Sequence, residues 1–175
     1  MKKSTLILSF ILSAMSVNGM AQKNSSASVG SASSTGYSQT KGDNTVSKQT
    51  YTSTNSDENA VQVTGGTLTM TNCTIKKTAG DTGDSDGSSF YGINSAVYCA
   101  GSSSILTMTG GTINTSAKGA NSIIAYNSGT INVSNVTINN TANLSRGIHA
   151  TGGGKIVASN LAITTAGSNS SVIAT

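Results

Sequence analysis

The residues best equipped for chemistry sit in one short stretch, Asp81-Thr-Gly-Asp84-Ser-Asp86-Gly87, which holds three of the chain's six acids. Carboxylates at this density can supply the oxygen ligands that Ca²⁺ takes. The spacing departs from a helix-flanked calcium loop. In the register of Asp84, Asp86 and Gly87 the first position is Thr82 and the twelfth is Ile93. A solvated loop of turn-forming Asp and Gly accounts for the same composition. Ca²⁺ at residues 81–87 is therefore the one cofactor the sequence allows, and a bland loop is the simpler expectation.

General acid–base chemistry lacks its partners. From Ala60 onward no Asp or Glu occurs outside that loop, so Arg146, His149 and Lys155 have no carboxylate beside them. Cleaving a glycosidic bond needs two carboxylates at a set separation. The expectation is a protein that is not an enzyme and has no catalytic residues. Nucleic acid is not an expected partner either. Once an export signal is removed, eight basic and six acidic residues remain, a net of +2 with Lys76-Lys77 as the one basic pair. Phosphate binding needs a patch of positive charge.

Aromatic residues offer a different chemistry. Phe90, Tyr91, Tyr98 and Tyr126 are four of only seven aromatics. With His149 they converge on one region if the chain is laid out in its repeats. Aromatic faces rimmed by polar groups suit sugar rings or a protein partner. The candidate binding residues are accordingly Asp81, Asp84, Asp86, Phe90, Tyr91, Tyr98, Tyr126 and His149.

The elements that must position these residues are strands in a repeat. Ile131-Asn-Val133-Ser-Asn-Val136-Thr-Ile138 recurs 25 residues later as Ile156-Val-Ala158-Ser-Asn-Leu161-Ala-Ile163. It appears 25 residues earlier as Leu106 to Ile113, 38 before that as Leu68 to Ile75, and more weakly at Val46 to Tyr51. Ile123, Ile148 and Ile173 keep the same beat, with Val61 and Val97 before them. Within each repeat, apolar and polar residues alternate, the period of a half-buried strand and not of a helix. Stacked coils of about 25 residues pair each strand in parallel with its copies at ~4.8 Å. Asn72, Asn135 and Asn160, with Gly110, share one register position between two strands. These are the residue types that reach positive φ at least cost, so a bend is expected there.

The alternation places Cys73 and Cys99 inward. Buried free thiols filling the core are the expectation, while export would permit a disulfide. It also turns His149 outward, in one row with Tyr98 and Ile124. Thr69 stacks on Thr107 and Thr71 on Thr109, but the rows decay to Asn132 and Val157, and to Ser134 and Ser159. Strand propensity explains outward Thr more simply than an ice-binding face does.

One junction breaks the beat. Ile113 to Ile123, Ile138 to Ile148 and Ile163 to Ile173 each span ten residues, whereas Ile75 to Val97 spans 22. Twelve extra residues therefore emerge between Lys76 and Asn94. Insertions in solenoids map to one face, often the binding face. Loop-closure entropy grows slowly with length, so removing the insert is expected to leave the solenoid folded.

The N-terminus reads as an export signal, residues 1–21. Lys2 and Lys3 precede a short apolar run from Leu6 to Val17, and Gly19-Met20-Ala21 offers a cleavage site after Ala21. The run is too short to span ~30 Å of hydrocarbon, so no membrane span is expected in the mature chain. Residues 22–43 read as a flexible Ser/Thr-rich lead, and residues 44–175 as the solenoid. The last coil stops unfinished at Thr175, which suggests that the chain is a fragment.

Residues 44–175 resemble the right-handed parallel β-helices of the pectin-lyase-like superfamily. The likeness is nearest to adhesin-like and autotransporter-passenger-like bacterial repeats. Gly65-Gly66-Thr67, Gly110-Gly111-Thr112-Ile113 and Gly129-Thr130-Ile131 carry it. The resemblance implies an all-β, right-handed parallel β-helix (β-solenoid) of four to five coils. It also implies a secreted or cell-surface module that binds a glycan or protein partner without catalysis. Its alternative is a piece of a polysaccharide lyase or hydrolase whose catalytic coils lie beyond residue 175.

Overall fold

The computed structural model describes the backbone of Leu6–Ser13 and residues 36–175. The described residues form fourteen strands: β1 (Leu6–Ser13), β2 (Tyr37–Gln39), β3 (Asp43–Ser47), β4 (Thr50–Ser53), β5 (Val61–Val63), β6 (Gly66–Lys77), β7 (Val97–Ala100), β8 (Ser104–Thr115), β9 (Ile123–Tyr126), β10 (Thr130–Ser134), β11 (Thr137–Asn140), β12 (Arg146–Ala150), β13 (Lys155–Thr165) and β14 (Ser171–Ala174). They form a parallel β-solenoid of about six turns at a spacing near 25 residues. One sheet has eight strands and the other six, the second running β14-β12-β9-β7-β5-β2.

The register follows the repeat. Leu68 pairs with Leu106, Leu106 with Ile131 and Ile131 with Ile156. A second column runs Tyr51, Ile75, Ile113, Ile138 and Ile163. The six-stranded sheet supplies a third, Val61, Val97, Ile123 and Ile148. These side chains close on one another in a single narrow core. Each fully buried Ile, Leu or Met stabilises the fold by roughly 1.5–3 kcal/mol relative to exposure. Like stacks on like, so every coil repeats the same packing problem and the same solution.

The bend is where the register position of the asparagines predicts it. Asn72, Asn135 and Asn160 have φ of 53°, 57° and 50°, and Gly110 has 68°. Asn160 Nδ2 donates to Asn135 Oδ1 at 2.5 Å, so the bend is also a side-chain ladder. Lys48 holds the same conformation (φ 55°) in the first coil, where no Asn marks it.

One boundary differs from the sequence expectation. Among the described residues the solenoid already includes Tyr37, ahead of residue 44: β2 pairs with β5 and the Tyr37 ring packs edge-on against Tyr51 at 5.5 Å. A three-residue strand with one large apolar side chain is too short to show alternation. With β2 joined to the coil of β3 and β4, the solenoid has about six turns, against the four to five coils expected. Leu6–Ser13, the apolar run of the expected export signal, pairs antiparallel with β13. The expected cleavage site after Ala21 and the lead as far as residue 35 lie outside the described residues. Among those described, no helix is long and apolar enough to cross a membrane.

Cys73 and Cys99 are both free and both buried in the core. Burial pushes the Cys99 thiol up to about 12. A thiol so shifted stays protonated near neutral pH, which makes it a packing group and not a nucleophile.

Candidate functional site

The insert is a strap bound down along its length. It leaves β6 of the eight-stranded sheet after Lys77, lies against Ile124 and Tyr98 on the outer face of the six-stranded sheet at Gly92, and enters that sheet at β7. Halfway along lies a single π-helical turn, Gly87–Tyr91, closed by Gly92 at φ 79°. Asp81 Oδ1 accepts the Lys118 backbone N–H at 2.8 Å. Thr82 donates its hydroxyl to Asp57 Oδ1 at 2.6 Å. Ser88 Oγ donates to the Gly119 carbonyl at 2.5 Å, and Asn121 Nδ2 returns a bond to the Ser88 carbonyl at 2.9 Å. Arg146 Nη1 reaches Ser89 Oγ at 2.9 Å. Three other coils, one on one side of the strap's own coil and two on the other, thus contribute to its anchorage.

The strap turns part of the outer face into a second core. Gln62, Tyr98, Ile124 and His149 form one outward row across β5, β7, β9 and β12. Tyr98 is 1% exposed, Ile124 0% and His149 6%. Tyr98, Ala100 and Ile124 cluster apart from the main core, with Tyr126 at the margin. Gly92 fits here because it lacks a side chain. A Cβ at that position would lie 2.8 Å from Ile124 Cγ2 and 2.9 Å from Tyr98 Cδ2.

The sequence-predicted site residues therefore divide. His149 and Tyr98 face outward as alternation requires, yet they are covered and cannot meet a ligand directly. His149, expected on an outward-facing row, is thus outward of the strand and still buried. Alternation along a strand reports which face a residue takes, not whether another segment later covers that face. His149 Nδ1 is buried without a hydrogen-bond partner. Burial, reinforced by the Arg146 guanidinium, holds its pKa down to about 4. It is a neutral imidazole at neutral pH.

Three aromatics remain toward solvent. Phe90 is 56% exposed on the π-helical turn. Tyr91 and Tyr126 are half-buried and meet edge to face, with ring centroids 5.8 Å apart. Arg146, half-buried, lies beneath the same turn through its bond to Ser89. Sequence reasoning missed Arg146 as part of this face, because it lies 57 residues from Ser89 along the chain.

The acids do not assemble into a cluster. Asp81 is tied to Lys118, Asp84 Oδ1 accepts the Gly87 N–H at 2.8 Å, and Asp86 is exposed at the start of the turn. Among the described residues no three His, Cys, Asp or Glu side chains group as metal ligands would. Two of the three strap carboxylates have a structural use, shaping and anchoring the strap.

The class defined by this geometry is a parallel β-solenoid with a strap fixed across one sheet. No protein-family model matches the chain, and neither a curated protein nor a solved structure matches it.

Proposed function

We propose that this chain is an exported, non-enzymatic, adhesin-like module that binds a glycan or a protein at the cell surface. The observation that carries the reading is the exposed Phe90 ring on a turn that is itself hydrogen-bonded to the solenoid. A large apolar ring held on a rigid support can bury against a partner with little ordering cost. The Tyr91–Tyr126 pair continues the aromatic surface, and Arg146 places a cation beside it. Aromatic rings and arginine are the side chains that most often dominate binding energy. The lack of paired carboxylates favours binding over hydrolysis, since general acid–base work needs both partners. The repeat's likeness to pectin-lyase-like and adhesin-like solenoids is part of the same proposal, as are export and the surface location.

The test is Phe90→Ser. Because the ring is exposed, the variant should keep its stability within about 0.5 kcal/mol. Binding to glycan arrays or to cell surfaces should fall by about tenfold or more. Unchanged binding by the variant would place the interaction on another face.

A further inference from the structure

A buried lysine lies at the root of the strap. Ser53, Lys77, Thr115 and Asn140 form an interior polar column, in register from β4 through β11. All four are buried. Three are small neutral residues, and the fourth is a lysine at 0% exposure. Nζ sits 3.4 Å from Ser53 Oγ and donates to the backbone carbonyl of Asn55. Among the described residues no carboxylate comes within ion-pair distance of it. Burying an ammonium without a paired charge is expensive.

The surroundings supply a reaction that removes this cost. Asn55 Nδ2 donates to Glu58 Oε2 at 3.0 Å, and the same oxygen lies 3.4 Å from Ser53 Oγ. An amine, a carboxamide and a carboxylate thus share one hydrogen-bonded corner. We propose that Lys77 and Asn55 become joined by an intramolecular amide, with Glu58 carrying the proton.

The Nζ lone pair attacks Cγ of Asn55, forming the new C–N bond. The Glu58 carboxylate takes the proton from the attacking nitrogen and passes it to Nδ2. The Cγ–Nδ2 bond then breaks, and Nδ2 leaves as ammonia. Amine plus primary amide gives secondary amide plus ammonia, so nothing is oxidised and no co-reactant is required. Nζ already touches the backbone oxygen of Asn55, so the carboxamide of the same residue comes within reach by side-chain torsion. Asn55 is exposed, which gives ammonia a way out. Desolvation also favours the nucleophile, since burial lowers the Lys77 pKa to about 8 and a neutral amine is what attacks. The product is a covalent link between neighbouring coils at the point where the strap departs.

The experiment is mass spectrometry of the denatured full chain. The wild type should be lighter than its sequence by one ammonia, and a digest should contain one branched peptide joining Asn55 to Lys77. Lys77→Arg, which keeps the charge but not the nucleophile, should restore the full mass, as should Glu58→Gln. Full mass and an unmodified Lys77 in folded wild type would overturn the proposal. So would an ammonia loss that persists in Lys77→Arg, because Asn55 cyclising on its own backbone gives that result. Cross-linking that survives in Glu58→Gln would overturn the role of Glu58. If Lys77→Arg fails to fold, the wild-type fragment spectrum still decides.

Discussion

His149 couples the stability of the fold to pH. An unfolded histidine takes a proton near 6.5, whereas the folded one resists until about 4. Between those values the unfolded chain binds more protons, so stability falls as pH drops through the window. The span corresponds to roughly 3 kcal/mol if fully expressed. Urea unfolding at pH 6.5 and pH 4 should show this loss in wild type and a much smaller one in His149→Gln. Equal losses in both would mean that other groups set the acid sensitivity. The bend asparagines make a second single-residue prediction. Asn135→Ala keeps the backbone at φ 57° with a side chain poorly suited to it, and it cuts the ladder bond to Asn160. It should cost about 1–2 kcal/mol in thermal or denaturant unfolding. The Asn and Gly residues at one register position made this bend legible in the sequence. Lys48 was not legible, because its strained conformation is imposed by the coil stacked on it and not by its own type. Lys77 was legible in principle: alternation puts it on the same side as Ile75. A lysine beside another lysine is read as surface by habit of charge.

At the scale of elements, the strap is what the sequence describes least well. Its existence and boundaries follow from counting residues between Ile75 and Val97. Its packing does not, since the bonds to Lys118, Gly119, Asn121 and Arg146 join segments far apart in the chain. Loop-closure entropy alone predicts that the strap can be removed at little cost. Burial of Tyr98 and Ile124 against Gly92 of the strap reverses that expectation. Deleting residues 82–93 would expose Ile124 and the Tyr98 ring. That should destabilise the protein by about 3 kcal/mol or more, given roughly 1.5–3 kcal/mol for one large apolar side chain. Gly92→Ala tests the same contact with less damage. The new methyl group meets Ile124 and Tyr98 at positive φ, and a loss of about 2 kcal/mol or more is expected from crowding and backbone strain together. A strap that merely rests on the surface would tolerate both changes.

For the whole molecule, the repeat determines nearly everything about the scaffold and little about its use. Columns such as Leu68, Leu106, Ile131 and Ile156 could be written down from spacing alone, because each coil buries its apolar residues on the coil before it. The candidate face could be read only in part. Phe90, Tyr91 and Tyr126 were visible as aromatics near one another, but which rings stay in solvent depends on the path of the strap. The central claim is that this rigid face, with Phe90 at its crest, binds a surface partner. Its most direct test is to bring purified wild type and Phe90→Ser, matched in melting temperature, to glycan arrays and intact cell surfaces. The account predicts saturable binding by wild type and at least about a tenfold loss in the variant. Equal binding by the two proteins, or no binding by a folded wild type, would contradict it.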